Sequence, residues 1–134
     1  DVTSAQIAAE VKLEVLISRG RLADAEPPRL SDETALTVVM AAKGYPGEPE
    51  TGGAVEGLEG LSGDGLMVFH AGTALQDGQL VARGGRVLNV TAAGQSVAAA
   101  REKAYAAVGR IGFPSGFCRS DIGWREIARS GRRG

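Results

Sequence analysis

The sequence is poor in the residues that disulfides and metal sites require. It contains a single cysteine, Cys118, and a single histidine, His70. One cysteine excludes an intrachain disulfide and a cysteine-rich zinc cluster, and a lone histidine leaves few ligands for other metals. We therefore predict no metal site and a reducing, cytoplasmic location. A Cys–His nucleophile pair is conceivable, but neither residue lies in a local signature of that chemistry. His70 is more typical of a polar group that anchors a loop.

Long apolar runs and common nucleotide motifs are also missing. No stretch approaches the roughly 18 apolar residues of a transmembrane helix. The N-terminal segment contains acids and has no basic stretch ahead of an apolar one, unlike a signal peptide. A G-x-x-x-x-G-K-[ST] loop is absent, and no G-x-G-x-x-G joins a strand to a helix. We expect no membrane and no nucleic-acid partner.

What remains is the composition of one globular domain with an uneven distribution of charge. The 134 residues are 43% apolar and 23% charged, with a net charge of −1. Residues 1–82 carry 5 basic and 13 acidic groups, whereas residues 83–134 carry 10 and 3. Either the two halves fold against each other, or the arginine-rich half faces an anionic ligand such as phosphate.

Helices are predicted where apolar residues recur every three to four positions. This spacing occurs in residues 5–19 and 97–111, and Ser96 is placed to cap the second segment. A last short helix is predicted over residues 122–129, with Asp121 as its N-cap.

Strands are predicted where short apolar runs are bounded by glycine and proline. They fall at residues 36–42, 66–70 and 86–91, with an interrupted edge strand at 113–118. Asp77-Gly78 is a strong signal for a type I′ hairpin turn, and Gly84-Gly85 offers a second turn of that kind. Three strands in meander order follow. We predict an α+β domain, a mainly antiparallel sheet with helices packed on one side.

Two glycine-rich loops are the candidate binding elements. Glycines flank a Tyr-Pro pair after the first strand, and Lys43 leaves the strand end as a point charge that can contact a carboxylate or phosphate. A structural turn with a solvated lysine explains the same residues. In the second loop, backbone amides and a guanidinium can face an anion, although a plain hairpin turn also explains its glycines. The candidates are Lys43, Gly44, Tyr45, Gly47, Gly84, Gly85 and Arg86.

The C-terminal cluster is interpreted as structural. Trp124, the only tryptophan, is expected in the core or at an interface. Asp121 is expected to pair with an arginine and order the terminus, and Arg125 belongs to the same cluster.

Five segments together resemble phosphoribosylamine–glycine ligase (glycinamide ribonucleotide synthetase), a family of purine biosynthesis. They occur in the family's order and spacing between residues 34 and 129. They are residues 36–47 (LTVVMAAKGYPG), 68–73 (VFHAGT), 84–92 (GGRVLNVTA), 98–108 (AAAREKAYAAV) and 117–125 (FCRSDIGWR). Residues 1–19 do not resemble the family.

The resemblance implies the C-terminal domain of that ligase, similar to the C-terminal domain of biotin carboxylases. It also implies that the complete enzyme joins phosphoribosylamine to glycine through a glycyl phosphate, while ATP becomes ADP and phosphate. ATP and magnesium are expected on an ATP-grasp body that this sequence lacks, so this chain would hold no cofactor and be inactive alone. The expected partners are the N-terminal and ATP-grasp domains of the same ligase and its small-molecule substrates.

This interpretation divides the chain into a helix of uncertain origin (1–19), a linker (20–34) and the ligase domain (35–134). Two alternatives remain open. The chain is a non-catalytic scaffold or oligomerisation module that reuses the fold, or it is a small stand-alone enzyme that uses His70 or Cys118.

Overall fold

The chain divides into two compact units, residues 1–31 and 32–134. A computed structural model describes residues 19–24, 27 and 31–132. In the first unit, residues Leu22–Asp24 form a 3₁₀ turn in which Arg21 Nε donates to Asp24 Oδ2 at 2.7 Å. This short turn lies within the predicted extended segment 20–34. The predicted helix 5–19 lies outside the described residues, apart from its last residue.

The second unit is a four-stranded antiparallel sheet with a separate two-stranded hairpin and two helices. The strands are β1 (Thr34–Ala42), β2 (Leu66–His70), β3 (Thr73–Gln76), β4 (Gln79–Ala82), β5 (Arg86–Gly94) and β6 (Gly116–Cys118). The helices are α1 (Val97–Val108) and α2 (Trp124–Ser130). The order across the large sheet is β2-β5-β1-β6, and β3 pairs with β4. The predicted α+β class and antiparallel pairing are confirmed.

The core lies between the large sheet and α1. Val38, Val90 and Ala92 are fully buried on one face of β1 and β5. Alanines of α1 pack against this face, and their small side chains let the helix approach closely. The buried α1 residues are Ala100, Ala104 and Ala107. Successive side chains of a strand point to opposite faces of the sheet. The other side chains of β1 and β5 therefore lie on the face that α1 does not cover.

The predicted meander is wrong, although each predicted strand exists. Asp77 and Gly78 form the predicted hairpin turn, with φ of 50° and 80°. In contrast, Gly84 and Gly85 have no positive φ, and the strands on either side of them do not pair. β5 instead lies between β2 and β1, because its nine residues carry enough buried apolar side chains to fill a central position.

The helix α1 is three residues shorter than predicted. Ser96 caps it as predicted, since Ser96 Oγ accepts a hydrogen bond from the backbone N–H of Ala99 at 3.2 Å. The helix ends before Gly109, and Ile111 follows it outside the helix but still packs in the core, with 8% of its surface exposed. Ile111 is therefore apolar because it packs in the core, and not because it continues the apolar face of the helix.

The C-terminal helix begins later than predicted, and Asp121 does not cap it. Gly123, with φ of 81°, occupies the N-cap position of α2, and no side chain caps the helix. The Asp121 carboxylate is instead bound by the neighbouring Arg119. Trp124 was predicted in the core or at an interface, and its exposed fraction of 52% excludes the core position. It stacks with Arg125, whose Cζ lies 5.4 Å from the ring centroid.

Replacing Trp124 with alanine is therefore expected to lower the free energy of unfolding by about 1 kcal/mol or less, the size of a surface cation–π contact. Urea denaturation of the purified chain, followed by circular dichroism, measures this change. A loss of about 3 kcal/mol would be typical of a buried aromatic residue and would contradict the observed exposure.

Candidate functional site

Three loops meet at one end of the large sheet. Because the strands are antiparallel, the end of β1, the end of β2 and the start of β5 lie at the same edge. The loops that adjoin these ends enclose a cleft of about 680 Å³. Its lining residues are Tyr45, Pro46, Gly47, Pro49, Ala71, Gly72, Gly85, Arg86 and Asn89.

Four of the seven predicted binding residues line this cleft. The structure brings together the two predicted loops through Tyr45, Gly47, Gly85 and Arg86. The other three predicted residues are not part of the lining. The lining also contains two prolines, the Ala-Gly pair that follows β2, and Asn89 within β5, which were not among the predicted binding residues.

Lys43 and Gly44 shape the first loop rather than line the cleft. Lys43 is exposed, and its backbone carbonyl accepts a hydrogen bond from Glu50 N at 2.8 Å, which closes the loop. Gly44 has φ of 89°, and a Cβ atom there would lie 2.0 Å from the carbonyl oxygen of Glu48. Only glycine fits this position without rearranging the backbone.

Gly84 supports the cleft through its contact with Gly72. The Gly72 carbonyl accepts hydrogen bonds from Arg83 N (2.7 Å) and Gly84 N (3.2 Å), while Gly72 N donates to Arg86 O at 2.8 Å. A Cβ atom on Gly72 would lie 2.6 Å from that Arg86 oxygen. The segment after β2 is thereby held against the start of β5, which fixes the position of Arg86.

Tyr45 forms a wall of the cleft over the backbone of Gly85. A Cβ atom on Gly85 would lie 2.5 Å from Tyr45 Cδ2, so the ring packs directly on this glycine. The Gly85 carbonyl accepts a hydrogen bond from Ala42 N at 2.9 Å, which joins the two predicted loops. With 39% of its surface exposed, the tyrosine presents its remaining surface to the solvent.

The polar groups of the lining suit an anion. Arg86 is exposed, and the described residues provide no ion-pair partner for it. A free guanidinium can bind a carboxylate or phosphate through two parallel hydrogen bonds. Asn89 adds an amide, and the lining contains no carboxylate. Magnesium prefers carboxylate and other oxygen ligands, so these residues do not fit that ion.

A Gly85→Val substitution is expected to leave the domain folded but to reduce the activity of an assembled ligase that contains it by about tenfold, the effect of roughly 1.4 kcal/mol. The clash is with a half-exposed aromatic ring, which can move outward, but its movement changes the cleft. Melting temperature and turnover measured on the same preparation separate the two effects. Equal loss of folding and activity would show that the glycine is structural.

His70 and Cys118 are too far apart to form a nucleophile pair. They lie in one cross-strand row, in which His70 faces Leu88, Leu88 faces Met40, and Met40 faces Cys118. Three strand spacings separate the two residues, about 14 Å. His70 Nδ1 lies 3.1 Å from Thr73 Oγ1, so the histidine anchors the loop between β2 and β3, as predicted.

Two residues of α1 hold the C-terminal block 117–125 in place. Arg101 donates from Nε to Ile122 O (3.0 Å) and from Nη2 to Ser120 O (2.7 Å). Tyr105 donates its hydroxyl hydrogen to Arg119 O and accepts a hydrogen bond from Ile122 N. The Arg101 guanidinium lies 4.8 Å from the Tyr105 ring centroid. The block therefore has a structural role that links α1 to α2.

Asp121 is paired with an arginine, as predicted. Arg119 Nε and Nη2 donate to its two carboxylate oxygens at 2.9 and 2.7 Å. These hydrogen bonds hold the pKa of the Asp121 carboxyl below its ordinary value. Because the carboxyl pKa is lower in the folded state, the pair stabilises the fold above the unfolded-state pKa, and this contribution is lost as the pH falls through the folded-state pKa.

An NMR titration is expected to show Asp121 ionising below the ordinary aspartate pKa of about 3.9. The Arg119→Ala variant removes the donors, so the Asp121 pKa should rise towards the ordinary value. A titration that is unchanged by this substitution would show that the arginine does not control the carboxyl group.

The described residues contain neither a cluster of metal ligands nor a helix that could span a membrane. Within residues 31–132 and the short described segments before them, no three or more His, Cys, Asp and Glu side chains are grouped as metal ligands. The same part of the chain contains no helix with the length and apolar character needed to cross a membrane.

Comparison with known proteins identifies the family. Residues 35–125 match the family model described as "Phosphoribosylglycinamide synthetase, C domain". The chain belongs to this family. The match includes the complete cleft lining and all strands of the large sheet, except for the first residue of β1.

The curated relatives are phosphoribosylamine–glycine ligases. The ligase of Mesorhizobium japonicum is 60% identical over 101 residues, which is 75% of this chain and 24% of the relative. The ligase of Phenylobacterium zucineum is 55% identical over 116 residues, 86% of this chain and 27% of the relative. The chain thus spans about a quarter of the length of these relatives.

A solved structure supports the same fold. The crystal structure of phosphoribosylamine–glycine ligase from Thermotoga maritima matches with a TM-score of 0.68 and 34% sequence identity. The match covers 84% of this chain and 27% of the solved chain. Sequence and fold therefore both assign the chain to the family of the phosphoribosylglycinamide synthetase C domain.

Proposed function

We propose that this chain acts as the C-terminal domain of an ATP-dependent ligase that joins phosphoribosylamine to glycine in purine biosynthesis, with its cleft forming part of the active-site wall. One observation carries the proposal: eight of the nine lining residues come from three of the segments that resemble the ligase family. These segments are separated in sequence, and the fold brings them to one end of the sheet.

The proposed role of the cleft is to bind an anionic group of a substrate. Arg86 supplies a guanidinium at the start of β5, and Asn89 supplies an amide three residues further along the same strand. Phosphoribosylamine carries a phosphate and glycine a carboxylate, so both substrates offer the planar or tetrahedral oxygens that arginine recognises. Tyr45 and the glycines shape the wall around these two groups.

The phosphoryl transfer is assigned to the part of the ligase outside this chain. Such transfer depends on metal ions and positioned cations around the nucleotide. The lining does not suit magnesium, so that ion, together with ATP, is proposed to bind the ATP-grasp body. The isolated chain is expected to fold but not to catalyse.

The domain boundaries and location form part of the proposal. Residues 35–134 are proposed as the ligase domain, preceded by a linker at 20–34 and a separate segment at 1–19. The division between residues 31 and 32 and the family match from residue 35 support this boundary. A cytoplasmic location is proposed because the reaction consumes ATP. The scaffold alternative is not favoured, since the match to ligases includes the cleft.

A hybrid ligase tests this function. In the hybrid, residues 32–134 of this chain replace the matching region of the Mesorhizobium japonicum ligase, and phosphate release is measured with ATP, glycine and phosphoribosylamine. We expect the hybrid to be active and the same ligase without any C-terminal region to be inactive. Equal activity of the truncated enzyme, or no activity from a correctly folded hybrid, would contradict the proposal.

A further inference from the structure

The face of the large sheet opposite α1 exposes several large apolar side chains. We call it the open face and define it by seven outward-facing residues, Thr37, Val39, Met67, Phe69, Asn89, Thr91 and Phe117. Four of these are large and apolar, and their exposed fractions are 37% for Val39, 47% for Met67, 45% for Phe69 and 45% for Phe117.

The strand register makes this surface continuous. Phe69 of β2 faces Asn89 of β5, which in turn faces Val39 of β1. One row further along, Met67 faces Thr91, whose Oγ1 lies 2.8 Å from that of Thr37. Met67 and Phe69 therefore lie on β2, whereas Val39 and Phe117 lie on the neighbouring strands β1 and β6. The polar Asn89 and Thr91 of β5 lie between these two apolar pairs.

An uncovered sheet face normally carries polar side chains. In many antiparallel sheets, apolar and polar residues alternate along each strand, so that one face packs on the core and the other presents polar side chains to water. Four large apolar side chains grouped on the solvent side of a sheet, here around the polar Asn89 and Thr91, are typical of a protein contact. Among residues 31–132, α1 packs on the buried side, so a second layer would be added on the open face.

The comparisons and the cleft indicate what the second layer is. About three quarters of each ligase relative lies outside the matched region, and that remainder must contact this domain if the two share an active site. Asn89 belongs both to the open face and to the cleft lining. A body that covers the open face would therefore border the cleft.

We propose that the open face is the docking surface for the remainder of the ligase chain, and that docking there places the cleft at the junction. The inference rests on the proposed function and adds the surface through which the domain performs it. The partner surface is expected to be apolar opposite the phenylalanines and the methionine.

Hydroxyl-radical footprinting with mass spectrometry tests the proposal. The chain has two methionines: Met67 is on the open face and Met40 is buried, with 6% of its surface exposed. In the isolated 134-residue chain, Met67, Phe69 and Phe117 should be oxidised, and Met40 protected. In the hybrid ligase, oxidation of the three open-face residues should fall several-fold, while that of Leu75 (76% exposed) stays unchanged.

Other occupants give different results. Protection of Met67 in the isolated chain at every concentration would assign the face to the chain's own N-terminal segment. Protection only at high concentration would assign it to a second copy. Open-face residues that remain reactive in the hybrid would mean that nothing docks there. Each of these three results would overturn the proposal.

A pair of variants separates docking from folding. Met67→Asp in the hybrid should restore oxidation of Phe69 and Phe117, whereas Leu75→Asp, an equally exposed change on the separate hairpin, should not. Protection of these phenylalanines in a folded Met67→Asp hybrid would contradict docking. An active hybrid with a reactive open face refutes this inference alone. A protected but inactive hybrid refutes the proposed function alone.

Discussion

Replacing Leu88 with alanine is expected to lower the free energy of unfolding of this domain by about 2–5 kcal/mol. Leu88 lies in the central strand β5, has none of its surface exposed, and is one of the largest fully buried side chains. Its removal leaves a cavity in the buried cluster that it shares with Val55, Ile111 and Phe113, and the surrounding residues fill this cavity only in part. Because small domains are stable by about 5–15 kcal/mol, this loss is a large fraction of the total.

Urea denaturation monitored by circular dichroism measures the effect. Leu75→Ala provides the matched control, because this leucine has 76% of its surface exposed on β3. We expect the control to change the free energy of unfolding by no more than about 0.5 kcal/mol. Similar losses in the two variants would contradict the assignment of Leu88 to the buried core.

The second large effect is expected at Arg86. In the hybrid ligase, Arg86→Ala should lower kcat/KM by about 10- to 100-fold, because a hydrogen bond to a charged group contributes roughly 1.5–3 kcal/mol. Arg86→Lys keeps the charge but loses the planar pair of donors, so it should recover only part of the activity.

Arg83 provides a control in the same loop. Its side chain is exposed and does not line the cleft. Arg83→Ala should therefore leave kcat/KM close to that of the unmodified hybrid, while melting temperatures confirm that both variants fold. If the two alanine variants lose activity equally, the general positive charge of the loop is responsible, and the specific role of Arg86 is wrong.

Local features of this fold are predictable from the sequence, because they depend on neighbouring residues. Strand β2 has the predicted bounds, and Ser96 caps α1 through its own side chain. The Asp77-Gly78 turn follows from the positive φ that its type requires. The sheet order is not local. Whether β5 pairs with the strand before it or inserts beside β1 depends on how much apolar surface each arrangement buries.

The C-terminal errors have a related cause. Asp121 has the right residue type and spacing for a cap, but Arg119, two residues before it, offers a charged pair of donors that binds the carboxylate more favourably. Trp124 has the large apolar side chain of a core residue, yet the space between the sheet and α1 is already filled, mostly by aliphatic side chains. Neither competition is visible in the pattern of single residues.

Part of the cleft lining was predictable from the sequence, because part of it depends on neighbouring residues. Glycine-rich loops beside Tyr45 and Arg86 are local signals, and both loops line the cleft. Asn89 was missed because the role of a polar residue within an apolar strand cannot be inferred until it is known which face of the sheet its side chain occupies. Gly72 was missed because its role is a close approach to Gly84, a contact that only the folded backbone creates.

Phosphate release tests the central claim most directly. The assay contains ATP, glycine and phosphoribosylamine, with this chain alone, with the Mesorhizobium japonicum ligase truncated before its matching region, and with the two mixed. Our account predicts release above background only in the mixture, with the rate rising to saturation as this chain is added. Turnover by the chain alone, or a truncated ligase that gains nothing from the chain at any concentration, would contradict its assignment as the missing wall of the ligase site.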